Sequence, residues 1–383
     1  MNMIKIPRVH VLSETVFHLK GNGVHTAFMD SLDLLRSGQD LDVVVNGEGW
    51  GDLLHSHTNG PYYFWKGLRY RGRRILTVHV TPDSLRGTLW IYSWLRPLVR
   101  WYLTQAYTFA DVCIAISPVV EQTLRQLKAK TRIVKIYNPI HAEKFLPTAE
   151  RRAAGRRWLG VADRDFVVLS AGQIHNRKGV DDFLDIAEAC PEFTFIWAGG
   201  QPFGPMTEGA IKTAKRINNM GPHVRFIGDV SLERMPWVYN AADLFVFPSY
   251  QENCPLAPME AAAAYLPVVF RDLPEYGQLY QHPYWKAANT AEFVRIIRRT
   301  AWDPSFREQG REHSKALLKQ FAKDEIRKQL IALYEEILQE PLRVKNGAGM
   351  AERPRGWKRD LDRAYSSLSC PSRRSEGQNE RRG

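Results

Sequence analysis

Glu252 and Glu260 stand eight positions apart in YQENCPLAPMEAAAA, directly after the apolar run LFVFPS. A strand, a loop carrying one carboxylate and an Ala-rich helix carrying the next aim both acids at the same strand end. Carboxylates there accept hydrogen bonds from sugar hydroxyls and from the ribose of a nucleotide. Two glutamates at this separation are common in any protein. The preceding strand, the Pro-containing loop and the helix after it are what single this pair out. A second group lies in SAGQIHNRKGVDDFLDIA, which follows another strand-like run and opens a helix. Gly172 and Gly179 allow a close turn, and the helix start offers backbone N–H groups. The adjacent Arg177 and Lys178 add full positive charge, a combination suited to a diphosphate. The bland alternative is a solvated basic turn.

The first half of the chain offers weaker signals. HLKGNGVHTAF places Gly21, Asn22 and Gly23 between the first strand and first helix, where backbone amides can approach a phosphate or an acceptor. ILTVHV ends at His79 as a strand-end histidine, a position that is more often structural. DLLHSHTNG offers His55 and His57 in the same way, and both rank below His79. Asn138 in IYNPIHAEKF is a site residue or a simple turn former.

Taken together, these motifs resemble the retaining glycosyltransferases of family four, whose fold is called GT-B. The resemblance covers roughly residues 1 to 340. It implies that Glu252 approaches the donor sugar and that Glu260 binds ribose. It also implies that Lys178 is the phosphate ligand, with His79 near the sugar and leaving phosphate. The family carries an arginine directly after the first glycine, where this chain has Gln173, and Arg177 is the candidate substitute. An aspartate usual after the family's histidine is Val80 here. Gly172, Gln173, Gly179, Asn253, Leu256 and Glu260 are the expected nucleotide-sugar contacts, with Gly21, Asn22, Gly23 and Asn138 on the substrate side. Retention of anomeric configuration is implied. Lys178 and Arg177 then assist departure of the diphosphate, Glu252 and His79 hold the sugar, and no protein general base is assigned.

The elements that must position these residues read as alternating β and α units. Strand-like runs RVHVLS, LDVVVN, DLLHSH, ILTVHV, DVCIAIS and RIVKIYN form one series, and DFVVLSAG, FTFIWAGG, VRFIGDV, LFVFPSY and LPVVF form another. Two mostly parallel α/β domains therefore face each other across a cleft at their strand ends. AERRAAGRRWLGVADRD reads as the connection, with residues 1–163 as the acceptor domain and 164–340 as the donor domain. Ile326, Leu330, Leu333, Tyr334 and Ile337 fall at helical spacing and predict a final amphipathic helix. Beyond residue 340 the composition predicts a basic disordered tail.

The net charge of +12 is concentrated rather than general: residues 65–102 hold +7 and residues 341–383 another +6. In the first segment the basic residues interleave with aromatics, in TPDSLRGTLWIYSWLRPLVRWYL. Trp90, Ile91, Trp94, Arg96 and Arg100 are the candidate membrane-facing residues, suited to the headgroup boundary of an anionic bilayer. Pro97 suits a first helical turn, so much of this segment reads as loop or irregular helix. The alternative is that these rings pack into the domain core. GNGVHTAF and VHVTPDSLRGTL in the first half, together with Gln173 in the second, make the chain most similar to bacterial glycosyl-diacylglycerol hexosyltransferases. That likeness implies transfer from a nucleotide sugar such as UDP-glucose or UDP-galactose to glucosyl-diacylglycerol.

Other classes fit less well. No apolar stretch is long enough for a membrane-spanning helix, and no signal core opens the chain, so a cytoplasmic location on the inner membrane face is expected. Cys113, Cys190, Cys254 and Cys370 lack paired ligand spacing, and reduced thiols are the default. The pairs Asp40/Asp42, Asp163/Asp165 and Asp360/Asp362 fall before a strand, in the connection and in the tail, so no metal is expected. No helix-turn-helix, finger or RNA-binding signature accompanies the basic runs, so no nucleic-acid partner is expected. Two alternatives stay open: a nucleotide-sugar hydrolase or epimerase of the same fold, and a noncatalytic membrane-binding scaffold.

Overall fold

Residues 6–18, 23–85, 92–200 and 210–340 are described by a computed structural model of the chain. Gly21, Asn22, Trp90, Ile91 and the basic tail from residue 341 lie outside them. The first series of apolar runs forms β1 (Arg8–Leu12), β2 (Asp42–Val45), β3 (Leu53–Ser56), β4 (Arg73–Val78), β5 (Val112–Ala115) and β6 (Arg132–Lys135). They pair in parallel in the order β2-β1-β3-β4-β5-β6. The second forms β7 (Val167–Ala171), β8 (Thr194–Ala198), β9 (Val224–Phe226), β10 (Leu244–Phe247), β11 (Val268–Arg271) and β12 (Trp285–Ala287). Their order, β12-β11-β10-β7-β8-β9, is also parallel throughout and reverses direction between β7 and β10. Such a reversal opens a crevice at the strand ends.

Helices cover both faces of each sheet, which is why central strands such as β5 and β10 are buried along their whole length and read as continuous apolar runs. Neighbours on one strand still face opposite ways. Ile75 joins Val9, Val11 and Phe28, whereas Leu76 joins Leu103, Tyr107 and Val120.

Two assignments of chain to lobe differ from the sequence expectation. Ile140, Phe145, Leu159 and Val161 pack with Val167, Leu169 and Val238, so the helix Ala149–Leu159 belongs to the second lobe, not to a connection ending near Asp163. Its buried Arg156 donates to the carbonyls of Ala241 at 2.8 Å and Asp165 at 2.6 Å. The closing helix Lys323–Gln339 goes the other way. Its Ile326, Leu330, Leu333, Tyr334 and Ile337 enter the core of the first lobe. Each such burial contributes about 1.5–3 kcal/mol, and five of them decide where the helix docks. The two crossings between lobes run side by side, with Ile140 N–H donating to the Phe321 carbonyl at 3.0 Å.

A third difference concerns Pro97, which lies inside the helix Tyr92–Phe109 rather than at its start. The ring removes the one N–H that would meet the Ser93 carbonyl. Burial of Leu103, Ala106 and Tyr107 further along holds the helix in place. The strand β12 was not anticipated, because its exposed Lys286 between buried Trp285 and Ala287 leaves no apolar run. No helix among the described residues is long and apolar enough to cross a membrane.

Candidate active site

The loop after β10 and the turn after β7 meet at the crevice between those strands. Gly172 (φ +148°) and Gly179 (φ +73°) adopt backbone conformations that other residues rarely take. At Gly179 a Cβ would sit 2.2 Å from the Pro248 carbonyl oxygen, so this glycine lets the two segments touch. Between them, Asn176–Lys178 forms a 3-10 turn, and the helix Val180–Glu188 follows. The Arg177 carbonyl accepts from Tyr250 N–H at 2.8 Å, which locks turn to loop.

This locking brings the predicted charges together. Lys178 Nζ donates to Glu252 Oε1 at 2.5 Å, Ser249 Oγ donates to the same oxygen at 2.7 Å, and Arg177 lies 3.8 Å from Oε2. Arg177 also donates to the Gln251 carbonyl at 2.5 Å and to its side-chain oxygen at 3.1 Å. Burial raises the Glu252 carboxyl, but the charges of Lys178 and Arg177 outweigh it and hold the group below its usual range. Burial also draws the Lys178 ammonium down, with Glu252 opposing and Arg177 adding to the effect. Two cations face one carboxylate, which leaves a net positive charge in a largely desolvated place. That arrangement favours a further anion.

Glu260 lies in the first turn of the helix Ala257–Ala263 and is buried. Its Oε2 accepts from the Tyr239 hydroxyl at 2.6 Å, a partner the sequence reading did not find. Burial pushes its carboxyl up to about 7, with the Tyr239 bond opposing and the Asp30 charge adding. Leu256 caps the same helix, its carbonyl accepting from Met259 and Glu260 N–H groups. Gln173 is half-buried beside Gly172. His175, not singled out beforehand, is buried with both ring nitrogens unpartnered among the described residues. Burial, Arg177 and Lys178 push it down to about 3.

Asn253 ties this loop to the other lobe. Its Nδ2 donates to the His79 carbonyl at 2.8 Å, and its Oδ1 accepts from Thr81 Oγ1 at 3.2 Å and Gln251 Nε2 at 3.2 Å. His79 follows β4, half-buried, and burial pushes its imidazole down to about 4. Its Nε2 lies 3.1 Å from His57 Nδ1. His55 is instead a core link, bonded to Tyr334 at 2.5 Å and Thr77 at 2.6 Å. Asn138 is buried in the wall lined by His55, His57 and Leu330. Gly23 opens the helix Gly23–Arg36 with open space around it, so no close approach requires a glycine there.

In the first two Asp pairs Asp40 bonds Arg327, Asp42 bonds Arg8 at 2.6 Å and Asp165 accepts from Ala162 N–H at 2.8 Å, while Asp360 and Asp362 lie outside the described residues. On the helix Tyr92–Phe109, Trp94 is 86% exposed, Leu98 60% and Trp101 59%, with Arg96 and Arg100 also exposed. These rings and the leucine stand at i, i+4 and i+7, one helical stripe. They do not pack into the core. Trp101 was missed because the segment read as irregular, and a helical period through Pro97 was the signal that would have found it.

Residues 165–301 match a family model described as "Glycosyl transferases group 1", and residues 38–144 match one described as "Glycosyltransferase Family 4". An alpha-galactosylglucosyldiacylglycerol synthase of Streptococcus pneumoniae is 32% identical over 335 residues, spanning 86% of this chain and 89% of its own. A processive diacylglycerol alpha-glucosyltransferase of Acholeplasma laidlawii is 26% identical over 298 residues, spanning 76% of this chain and 87% of its own. Among solved structures, Anabaena HepE in complex with UDP-glucose superposes with a TM-score of 0.70 at 18% identity, covering 86% of this chain and 100% of that one. A sucrose-phosphate synthase from Thermosynechococcus elongatus gives 0.68 at 17% identity, covering 86% and 99%. These two structures share the fold.

Proposed function

Since the chain belongs to glycosyltransferase family four, with the GT-B fold, we propose that it transfers a hexose, with retention, from a UDP-hexose to a glycosylated diacylglycerol. The observation that carries the donor site is the Lys178–Glu252 contact at 2.5 Å with Arg177 3.8 Å away. One uncompensated cation there meets the charge that develops on a departing diphosphate, and the surrounding burial strengthens the interaction. Glu252 presents its carboxylate to the sugar hydroxyls. Glu260, with one oxygen held by Tyr239, has its other oxygen for ribose. The acceptor hydroxyl attacks on the face the leaving group vacates, and the departing phosphate takes its proton. No protein base and no metal are needed for this route.

The acceptor side rests on the stripe Trp94, Leu98 and Trp101, flanked by Arg96 and Arg100. Aromatic insertion and basic charge are complementary to an anionic bilayer, each basic residue near the surface contributing about 1 kcal/mol. The protein on this reading works peripherally at the inner face of the cell membrane. The likeness to the S. pneumoniae synthase, over most of both chains, supports the same acceptor class. The test is purified protein with a panel of UDP-hexoses and lipid acceptors, products identified by mass and linkage. A glycosyl-diacylglycerol extended by one hexose is expected. Donor hydrolysis with no transfer to any lipid overturns the proposal in favour of a nucleotide-sugar hydrolase.

A further inference from the structure

His57 and His79 leave the ends of neighbouring strands and stack, with centroids 5.4 Å apart, planes at 23° and Nδ1 of His57 3.1 Å from Nε2 of His79. Nε2 of His57 is sealed from solvent and has no partner among the described residues. The His55 ring lies 4.7 Å to one side and the Phe28 edge 5.6 Å away. The half-buried His79 ring lines a small cleft with Val24, Thr58, Val80 and Tyr107.

Burial keeps both imidazoles neutral, so a single proton lies between them. Two arrangements exist. If Nε2 of His79 donated, the N–H of His57 would be its own Nε2, a buried donor with no partner among the described residues. If Nδ1 of His57 donates, the sealed atom is a bare lone pair instead. Orphaned buried N–H groups are rarer than under-satisfied acceptors, so the second arrangement is favoured. It leaves the proton of His79 on Nδ1, on a ring that lines the cleft.

We propose that His57 is a positioning residue that fixes the Nδ1–H tautomer of His79, making His79 a hydrogen-bond donor to an oxygen of the bound hexosyl diphosphate rather than a proton acceptor. The inference rests on the reading of this cleft as a glycosyl-donor site. It assigns His79 to the same task as Lys178: its N–H strengthens its bond as negative charge develops on that oxygen. It also excludes His79 as the base for the acceptor hydroxyl, because its only lone pair is taken by His57.

The ring-nitrogen NMR spectrum of the full chain labelled with 15N-histidine tests the tautomer directly, with His57→Asn and His79→Gln assigning the signals. Both residues are expected as Nδ1–H. Finding His79 as Nε2–H overturns the proposal. In kinetics, His57→Phe is expected to lower kcat about tenfold, the scale of one lost hydrogen bond. His57→Asn keeps an amide donor near the place of Nδ1 and is expected to recover most of the rate with the same KM. Equal losses in the two variants overturn the positioning role. A wild-type rate in His79→Ala overturns the donor role of His79. If no nucleotide sugar is turned over at all, the reading of the site falls, and the spectrum of the unmodified chain still decides the tautomer.

Discussion

Asn253 reaches from the loop after β10 to the end of β4, donating from Nδ2 to the His79 carbonyl at 2.8 Å while its Oδ1 accepts from Thr81. One side chain thus holds the donor loop against the opposite lobe. Replacing Asn253 with Ala removes both bonds, each worth about 0.5–1.5 kcal/mol. The expected result is a rise in KM for the nucleotide sugar and a kcat lower by about tenfold. Small-angle scattering is expected to show a more open average shape. Unchanged kinetics and scattering would show that the lobes meet without this residue.

Lys178→Ala is expected to lower kcat by about 100- to 1000-fold, the scale of one preorganised stabilising donor. Arg177→Ala is expected to be milder, since Arg177 stands 3.8 Å from Glu252 and spends its nearest bonds on Gln251. Steady-state rates of the two single variants and the double variant measure this, with circular dichroism confirming the fold. Full activity in the double variant removes both residues from the phosphate site.

Glu260 carries a pH signature. Its carboxyl is raised from 4.5 to about 7, so the folded protein binds a proton that the unfolded chain has lost. Stability therefore falls as pH rises from about 4.5 to about 7, by roughly 3 kcal/mol for such a shift. Glu260→Gln lacks this ionisation and is expected to raise Tm at pH 8 relative to the parent, with little change at pH 4. Donor affinity should move the other way, because the amide is a weaker acceptor for ribose hydroxyls. Thermal melts at the two pH values and a UDP titration check both directions. A Tm difference independent of pH contradicts the account.

Trp94→Ser with Trp101→Ser is expected to abolish binding to anionic vesicles and activity on lipid acceptor, while leaving the fold intact, since both rings are mostly exposed. Donor hydrolysis without acceptor should persist, because Lys178 and Glu252 lie on the other sheet. Sedimentation with neutral and anionic vesicles at two salt concentrations is the measurement, and binding should weaken with salt. Retained vesicle binding in the double variant moves the contact elsewhere.

On the proposed route Lys178 and Arg177 take the place of a divalent ion, and a chelator is expected to leave turnover unchanged. An absolute requirement for added magnesium or manganese, measured after exhaustive dialysis, contradicts this.

Eleven of the strands and the motifs that carry Glu252, Glu260, Arg177 and Lys178 were legible in the sequence because their signals are local. Apolar runs ending in turn residues report a strand buried on both faces, and the short segments after them report what each strand end presents. Local signals end where a short element or a distant partner decides. Strand β12 has no apolar run, its exposed Lys286 standing between two buried residues, and the helix through Pro97 persists because Leu103 and Tyr107 find a core. The closing helix was correctly expected to be amphipathic, yet an apolar stripe does not say which sheet will bury it; contact with Val9, Val11 and Phe28 placed it in the first lobe. The pairings that tune the site are likewise tertiary. Tyr239 with Glu260, His57 with His79, and Asn253 with the His79 carbonyl join residues 21, 22 and 174 positions apart. Residue types and spacing singled out the candidate groups, and packing alone decided which of their atoms are already bonded within the protein.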